Sequence, residues 1–112
     1  MKEKTEELVK YIQERCLWQF FSRSWDREDN IGGIMTQSES ILLGKNPVLE
    51  TQMDRCWYAD ATILVDDLKR LFPWITAASP DEIRTVIDRV KQRMREIAIE
   101  KSRNEELNIN NY

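Results

Sequence analysis

Residues 79–98 read SPDEIRTVIDRVKQRMREIA, which is the clearest helix signal in the chain. Ser79 suits the N-cap and Pro80 the first helical position, while Glu82 is placed three residues after the cap to close a capping box. Apolar residues then recur at steps of three and four for about four turns: Ile83, Val86, Ile87, Val90, Met94, Ile97 and Ala98. This spacing predicts an amphipathic helix whose apolar side must be covered by other helices.

Two further helices are predicted before residue 45. The first covers residues 5–21, where apolar residues recur at helical spacing. The second begins after a cap at Ser24 or Asp26 and ends at Gly44, since glycine readily adopts the left-handed conformation found after helices. The two glycines at 32–33 weaken this helix by about 1 kcal/mol each relative to alanine, so we expect a bend or a close helix contact there.

A third helix begins at Thr51, whose spacing to Asp54 has capping character, and it is stopped by Pro73. Its predicted apolar stripe consists of Met53, Trp57, Ala61, Leu64, Leu68 and Leu71. From Ser102 onward the composition turns polar, which favours a C-terminal tail. Because four amphipathic helices can cover one another's apolar sides, we predict an all-α fold. The predicted architecture is a single helical domain over residues 1–112, a small bundle of about four amphipathic helices with a polar C-terminal tail.

Composition limits the kinds of partner. A chain of 112 residues suits one domain, and 33% charged beside 41% hydrophobic residues is typical of a globular protein. No apolar run reaches the roughly 18 residues needed to span a bilayer. The formal net charge of −3 gives no electrostatic reason to expect nucleic acid or an anionic membrane as partner. A protein partner is therefore favoured.

Residue types that catalyse reactions or bind metals are scarce. Histidine is absent, which removes the commonest general base and the commonest transition-metal ligand. Cys16 and Cys56 lie forty positions apart without a C-x-x-C element, so we expect reduced, buried thiols in a cytoplasmic protein. The carboxylates at 26–29 and 66–67 lack the E-x-x-H pairs of di-iron bundles, and they suit solvated helix faces and helix N-termini better. We therefore expect no catalytic, cofactor-binding or metal-binding residue in this chain.

The least usual stretch is residues 16–28, which read CLWQFFSRSWDRE. Its aromatic residues point in several directions around a helix, so they either fill the core or lie on the outside. Tryptophan, tyrosine and arginine dominate interface hot spots because they bring large desolvated areas at little cost in rotamer entropy. Packing of all these rings in the core is the alternative. Together with later aromatic residues, the candidate partner-binding residues are Trp18, Phe21, Arg23, Trp25, Asp26, Arg27, Trp57, Tyr58 and Trp74.

The same residues carry a family resemblance. Residues 11–34, reading YIQERCLWQFFSRSWDREDNIGGI, resemble the delta subunit of the alternative nitrogenases, the small extra chain of the vanadium-iron and iron-only dinitrogenase components. Residues 58–61, 72–74 and 104–107, with the terminal Tyr112, fall in the family's order and spacing. The likeness thus covers nearly the whole chain, and it adds Tyr112 to the candidate partner-binding residues.

The resemblance implies a role inside a large enzyme. In that family the delta chain is all-helical, and one copy sits on each alpha subunit of a hexamer of two alpha, two beta and two delta chains. The P-cluster and the active-site cofactor, iron-vanadium or iron-only, are held by the larger subunits. The resemblance therefore implies a non-catalytic subunit that docks on alpha and supports cofactor loading and dinitrogen reduction.

The branch of the family and two other functions remain open. Phe21 and residues 29–31 look closer to the vanadium branch, whereas residues 54–56 and 104–106 look closer to the iron-only branch, and vanadium is slightly favoured. A free-standing metalloenzyme assembly chaperone or protein-binding helical module would associate with its target only transiently. An independent small enzyme would turn over substrate alone, but the chain offers no nucleophile and base pair.

Overall fold

The computed structural model describes the backbone of residues 2–19 and 27–110, together with the side chains of residues 2–15, 30–100 and 103. Its elements are the helices α1 (Lys2–Gln19), α2 (Arg27–Leu42), α3 (Gln52–Leu71) and α4 (Pro80–Asn110), with a short 3-10 helix (Pro73–Ala77) before α4. No strand occurs within these ranges, which confirms the predicted all-α bundle. None of the described helices is both long and apolar enough to cross a membrane.

The local signals around α3 are confirmed. The Asp54 N–H donates to Thr51 Oγ1 at 3.0 Å, and the Thr51 N–H donates to the Asp54 carboxylate at 3.0 Å, which completes a capping box. The helix ends at Leu71, just before Pro73, which has no N–H for a helical bond. After α2, Gly44 has a φ of 70°, in the left-handed region that favours glycine. The predicted caps at Ser24 or Asp26 lie outside the described residues.

Helix α4 starts as predicted and runs further than predicted. The Glu82 N–H donates to Ser79 Oγ at 3.2 Å, while the Ser79 N–H donates to Glu82 Oε1 at 3.1 Å. The helix then continues to Asn110, so the backbone of the polar segment from Ser102 is helical to that point. No glycine or proline follows Pro80 in the sequence, and a helix without such a breaker can propagate through polar residues.

The helices surround one core. Helix α2 packs against both α3 and α4, and α1 packs against α4. Because Glu6 pairs with Arg89 and Gln13 with Arg93, α1 and α4 run in the same direction. The core consists of buried aliphatic side chains from the four α-helices and the 3-10 helix: Leu8, Val9, Ile12, Ile31, Ile34, Met35, Ala61, Leu64, Leu68, Ile75, Ile83, Val86, Ile87, Val90 and Met94.

Three side chains differ from their predicted burial. Met53 and Leu71, at the two ends of the predicted α3 stripe, are 44% and 47% exposed. Leu71 lies about 60° around the helix from the buried Leu68, at the edge of the apolar face. The thiol of Cys56 is free but exposed, because this residue lies about 140° around α3 from the buried Ala61. The expectation of a buried thiol is therefore wrong for Cys56.

Candidate partner-binding surface

Trp57, on α3, packs against the backbone of α2. A Cβ added at Gly33 would overlap the indole ring of Trp57, so only glycine permits this approach. The indole Nε1–H donates to Oδ1 of the buried Asn30 at 2.9 Å. The expected close helix contact at the glycine pair is thus confirmed, and its position is Gly33. At Gly32 an added Cβ would meet no atom within 4 Å.

Trp74, in the 3-10 helix, belongs to a row of aromatic rings. The ring of Phe72 lies edge-on to Tyr11 with centroids 5.7 Å apart, and edge-on to Trp74 with centroids 6.5 Å apart. All three rings are partly buried and pack against the core. Since Trp57 and Trp74 both contact the core, each combines a core position with a partly accessible ring. Their binding to a partner stays a prediction.

The described candidates do not form one cluster. Trp57 lies in the second turn of α3 and Trp74 follows its C-terminus, so about 20 Å of helix separates them. Tyr58 is partly buried and lies about 100° around α3 from Trp57. Trp18 and Arg27 lie in α1 and α2, with their side chains outside the described residues. The remaining candidates lie outside the described residues altogether: Phe21, Arg23, Trp25, Asp26 and Tyr112.

An ion-pair cluster joins α1 to α3. The guanidinium of Arg15 donates to the Asp67 carboxylate and to Tyr11 Oη, the latter at 2.9 Å. Arg70 donates to the other Asp67 oxygen at 2.9 Å. These two hydrogen bonds, first that of Arg15 and then that of Arg70, hold the pKa of Asp67 below its usual range. The sequence pattern suggested only a solvated carboxylate here, because Arg15 lies 52 residues from Asp67.

Exposed apolar side chains mark two further parts of the surface. On α3, Ile63 is 58% exposed and lies about 120° around the helix from Trp57, which packs against α2. On α4, Ile99 is 55% exposed, beyond the last residues that pack on the core. Sequence reasoning missed both positions. The spacing of 53, 56 and 63 is itself helical and could have been read as a second stripe.

One cavity of about 460 Å³ opens where α1 and α4 begin. It is lined by Lys2, Thr5, Glu6, Asp81, Glu82, Thr85 and Arg89. Glu6 accepts from Arg89 at 2.9 Å, and Asp81 accepts from Arg84 at 3.1 Å. Glu82 accepts the Ser79 N–H, and this backbone hydrogen bond is the main cause that lowers its pKa. The carboxylates around the cavity therefore serve ion pairs and a helix cap. Within the described part of the chain, no three His, Cys, Asp or Glu residues are placed to hold a metal ion.

Comparison with known proteins identifies the family. Residues 2–112 match the model of the vanadium/alternative nitrogenase delta subunit family. The chain is 41% identical over 112 residues to the nitrogenase iron-iron protein delta chain of Rhodobacter capsulatus, covering all of this chain and 97% of that protein. It is 44% identical over 106 residues to the delta chain of the same name from Clostridium pasteurianum, covering 95% of this chain and 91% of that protein.

A third relative extends this similarity to full coverage of both chains. The nitrogenase iron-iron protein delta chain of Azomonas macrocytogenes is 41% identical over 112 residues, covering 100% of each. These matches span the bundle helices, the aromatic stretch of residues 16–28 and the long C-terminal helix together. The chain therefore belongs to the vanadium/alternative nitrogenase delta subunit family.

Proposed function

We propose that this chain is the delta subunit of an alternative nitrogenase, that it docks on the alpha subunit of the dinitrogenase component, and that it supports cofactor loading and dinitrogen reduction. The observation that carries the proposal is the match to the delta subunit family over residues 2–112, with relatives covered almost end to end. The match extends over 97% and 100% of two of these relatives, which supports the same role for this chain as for a delta chain.

The chemistry of the chain supports a binding role rather than a catalytic one. The chain has no histidine. Asp54 and Glu82 cap helices, while Glu6 and Asp67 accept hydrogen bonds from arginines. These four carboxylates hold the fold together, and among the described residues no three His, Cys, Asp or Glu side chains are placed to hold a metal ion. We assign the P-cluster and the iron-vanadium or iron-only cofactor to the larger subunits, where dinitrogen would be reduced.

The proposed assembly contains two alpha, two beta and two delta chains, with delta contacting alpha directly. The experiment is native mass spectrometry of the complex purified from nitrogen-fixing cells, combined with metal analysis. We expect delta in equal amounts with alpha and beta, and the vanadium content then assigns the branch. A delta chain found only as a free monomer would contradict the proposal. An assembly chaperone would instead accompany the cofactor-free component and be absent from the loaded one.

A further inference from the structure

Helix α2 packs against two other helices, α3 and α4, but is itself a poor helix former. Its 16 residues, REDNIGGIMTQSESIL, include two adjacent glycines, and glycine loses more backbone entropy in a helix than any other residue. The hydroxyls of Thr36, Ser38 and Ser40 also bond back to the carbonyl four residues earlier, which slightly destabilises a helix and often bends it. The helical form of α2 therefore depends on its contacts with α3 and α4.

The two glycines of α2 have different explanations. Gly33 is required by packing, because an added Cβ would overlap the ring of Trp57. At Gly32 an added Cβ would meet no atom within 4 Å, and the residue lacks the positive φ that Gly44 has. Neither packing nor a left-handed backbone therefore calls for glycine at position 32. What glycine supplies there is backbone freedom inside a helix.

The carbonyl of Gly32 has a second hydrogen-bond donor. In an α-helix this carbonyl accepts the N–H of Thr36, and here it also accepts the Thr36 hydroxyl at 2.9 Å. Lys91 of α4 donates to the same hydroxyl oxygen at 3.0 Å, which holds Thr36 in place. Because a carbonyl oxygen has two lone pairs, it keeps one hydrogen bond when the other lengthens or breaks. A bend at Gly32 therefore costs less than a bend at a carbonyl whose only donor is an amide.

Trp57 connects the two sides of Gly32. Its ring packs on Gly33, directly after the hinge position, while its indole Nε1–H donates to Oδ1 of Asn30, two residues before it, at 2.9 Å. Asn30 is 6% exposed, so this hydrogen bond is made where water does not easily replace it. One side chain of α3 thus holds the first turn of α2 in line with the rest of that helix.

We propose that Gly32 is a hinge in α2 and that the hydrogen bond from Trp57 to Asn30 is the latch that keeps the hinge closed. In the open form, residues 27–31 turn away from α3, while the rest of α2 stays packed on α3 and α4. Opening takes Ile31 out of the core, where it is 2% exposed, so the open form is the minor one. It also moves Arg27, at which the chain enters α2. The hinge belongs to this chain alone and is present with or without a partner subunit.

Amide hydrogen exchange of the full-length chain, measured at single residues, detects the hinge. The N–H groups of residues 31–35 bond to the carbonyls of residues 27–31, so they lose these hydrogen bonds when the hinge opens. The N–H groups of residues 37–40 bond to carbonyls beyond Gly32 and keep theirs. We expect protection to be at least about tenfold lower at residues 31–35 than at residues 37–40, with a step between the two groups. Fraying from the helix end would instead give a gradual rise along α2.

Two substitutions in α2 test the hinge. Gly32→Ala restricts the backbone at the hinge and meets no neighbour, so it should raise the protection of residues 31–35 by about fivefold. Ser40→Ala is the matched control, since it also favours the helix but lies outside the segment that opens. It should leave the protection of residues 31–35 within about twofold of the unmodified chain.

Two tryptophan substitutions test the latch. Trp57→Phe removes the indole N–H and keeps an aromatic ring beside Gly33, so it should lower the protection of residues 31–35 by about threefold to tenfold. Trp74→Phe makes the same change of ring in the 3-10 helix and is the matched control. It should leave the protection of residues 31–35 within about twofold, because it removes no hydrogen bond to α2.

Specific outcomes overturn the hinge or the latch. A gradual rise of protection along α2 would show fraying, and equal effects of Gly32→Ala and Ser40→Ala would show that α2 opens as one unit. Unchanged protection in Trp57→Phe would exclude the latch, and an equal loss in Trp74→Phe would show that these amides report the stability of the whole bundle. A Trp57→Phe chain that does not fold would make Trp57 part of the core and not a latch. A step at Gly32 that responds to Gly32→Ala and Trp57→Phe, and to neither control, establishes the latched hinge.

Discussion

At the scale of single residues, the contact between Gly33 and Trp57 has the clearest consequence for stability. Gly33→Ala would drive a methyl group into the indole ring, so we expect a loss of about 1–3 kcal/mol in the free energy of unfolding. Gly32→Ala is the matched control. It meets no neighbour and should gain about 0.5–1 kcal/mol through helix propensity. Urea unfolding of both variants measures the difference, and equal changes in the two would contradict this account.

A second prediction at this scale concerns Trp25, which lies outside the described residues, and Arg27, the first residue of α2. The double substitution Trp25→Ala and Arg27→Ala should weaken docking on alpha more than it weakens folding. These positions follow the first predicted helix, where we expect side chains to pack less against the core. Thermal unfolding of the double variant, measured beside its capture by alpha, decides between the two effects. An unfolded double variant would instead make these residues structural.

At the scale of helices, the sequence predicts those features whose partners are close along the chain. The capping boxes at Thr51 and Ser79 each need a residue only three positions away, and both are confirmed. The ion-pair cluster around Asp67 includes Arg15 from another helix, so no local sequence pattern predicts it. The exposure of Cys56 also depends on which side of α3 meets α2, and helical spacing alone does not fix that choice.

The pairing of α1 with α3 through Asp67 leads to a prediction about pH. The folded-state pKa of Asp67 is lowered, so its stabilising effect is present above the unfolded value of about 4 and is lost as pH falls through the folded value. The thermal midpoint of the unmodified chain should therefore fall between about pH 5 and pH 2 more steeply than that of Asp67→Asn. Asp66→Asn, at the exposed neighbouring position, is the control and should keep the steep dependence. Parallel curves for all three proteins would show that the Arg15 pair does not couple folding to pH.

At the scale of the whole molecule, the fold class follows from the sequence and the shape does not. Four amphipathic segments, separated by the predicted cap at Ser24 or Asp26, by Gly44 and by Pro73, leave an all-α bundle as the economical fold. The same pattern fits several helix arrangements, so it could not establish that α1 and α4 run in the same direction. The sequence pattern also predicted a polar tail from residue 102, where the structure has the continuation of α4. Polar composition alone does not distinguish a solvated helix from a loop.

Truncation of the chain tests whether residues 99–110, the end of α4, contribute to the stability of the bundle. A chain ending at residue 98 keeps all fifteen core side chains and Ile97, so it should unfold cooperatively with a free energy within about 1 kcal/mol of the full-length protein. A chain ending at residue 93 also loses Met94 and Ile97, and removal of a buried methionine alone should cost about 2–5 kcal/mol. Urea unfolding followed by circular dichroism measures both proteins. A chain ending at residue 98 that fails to fold would show that residues 99–110 are needed for the bundle, whereas cooperative unfolding would show that the bundle folds without them.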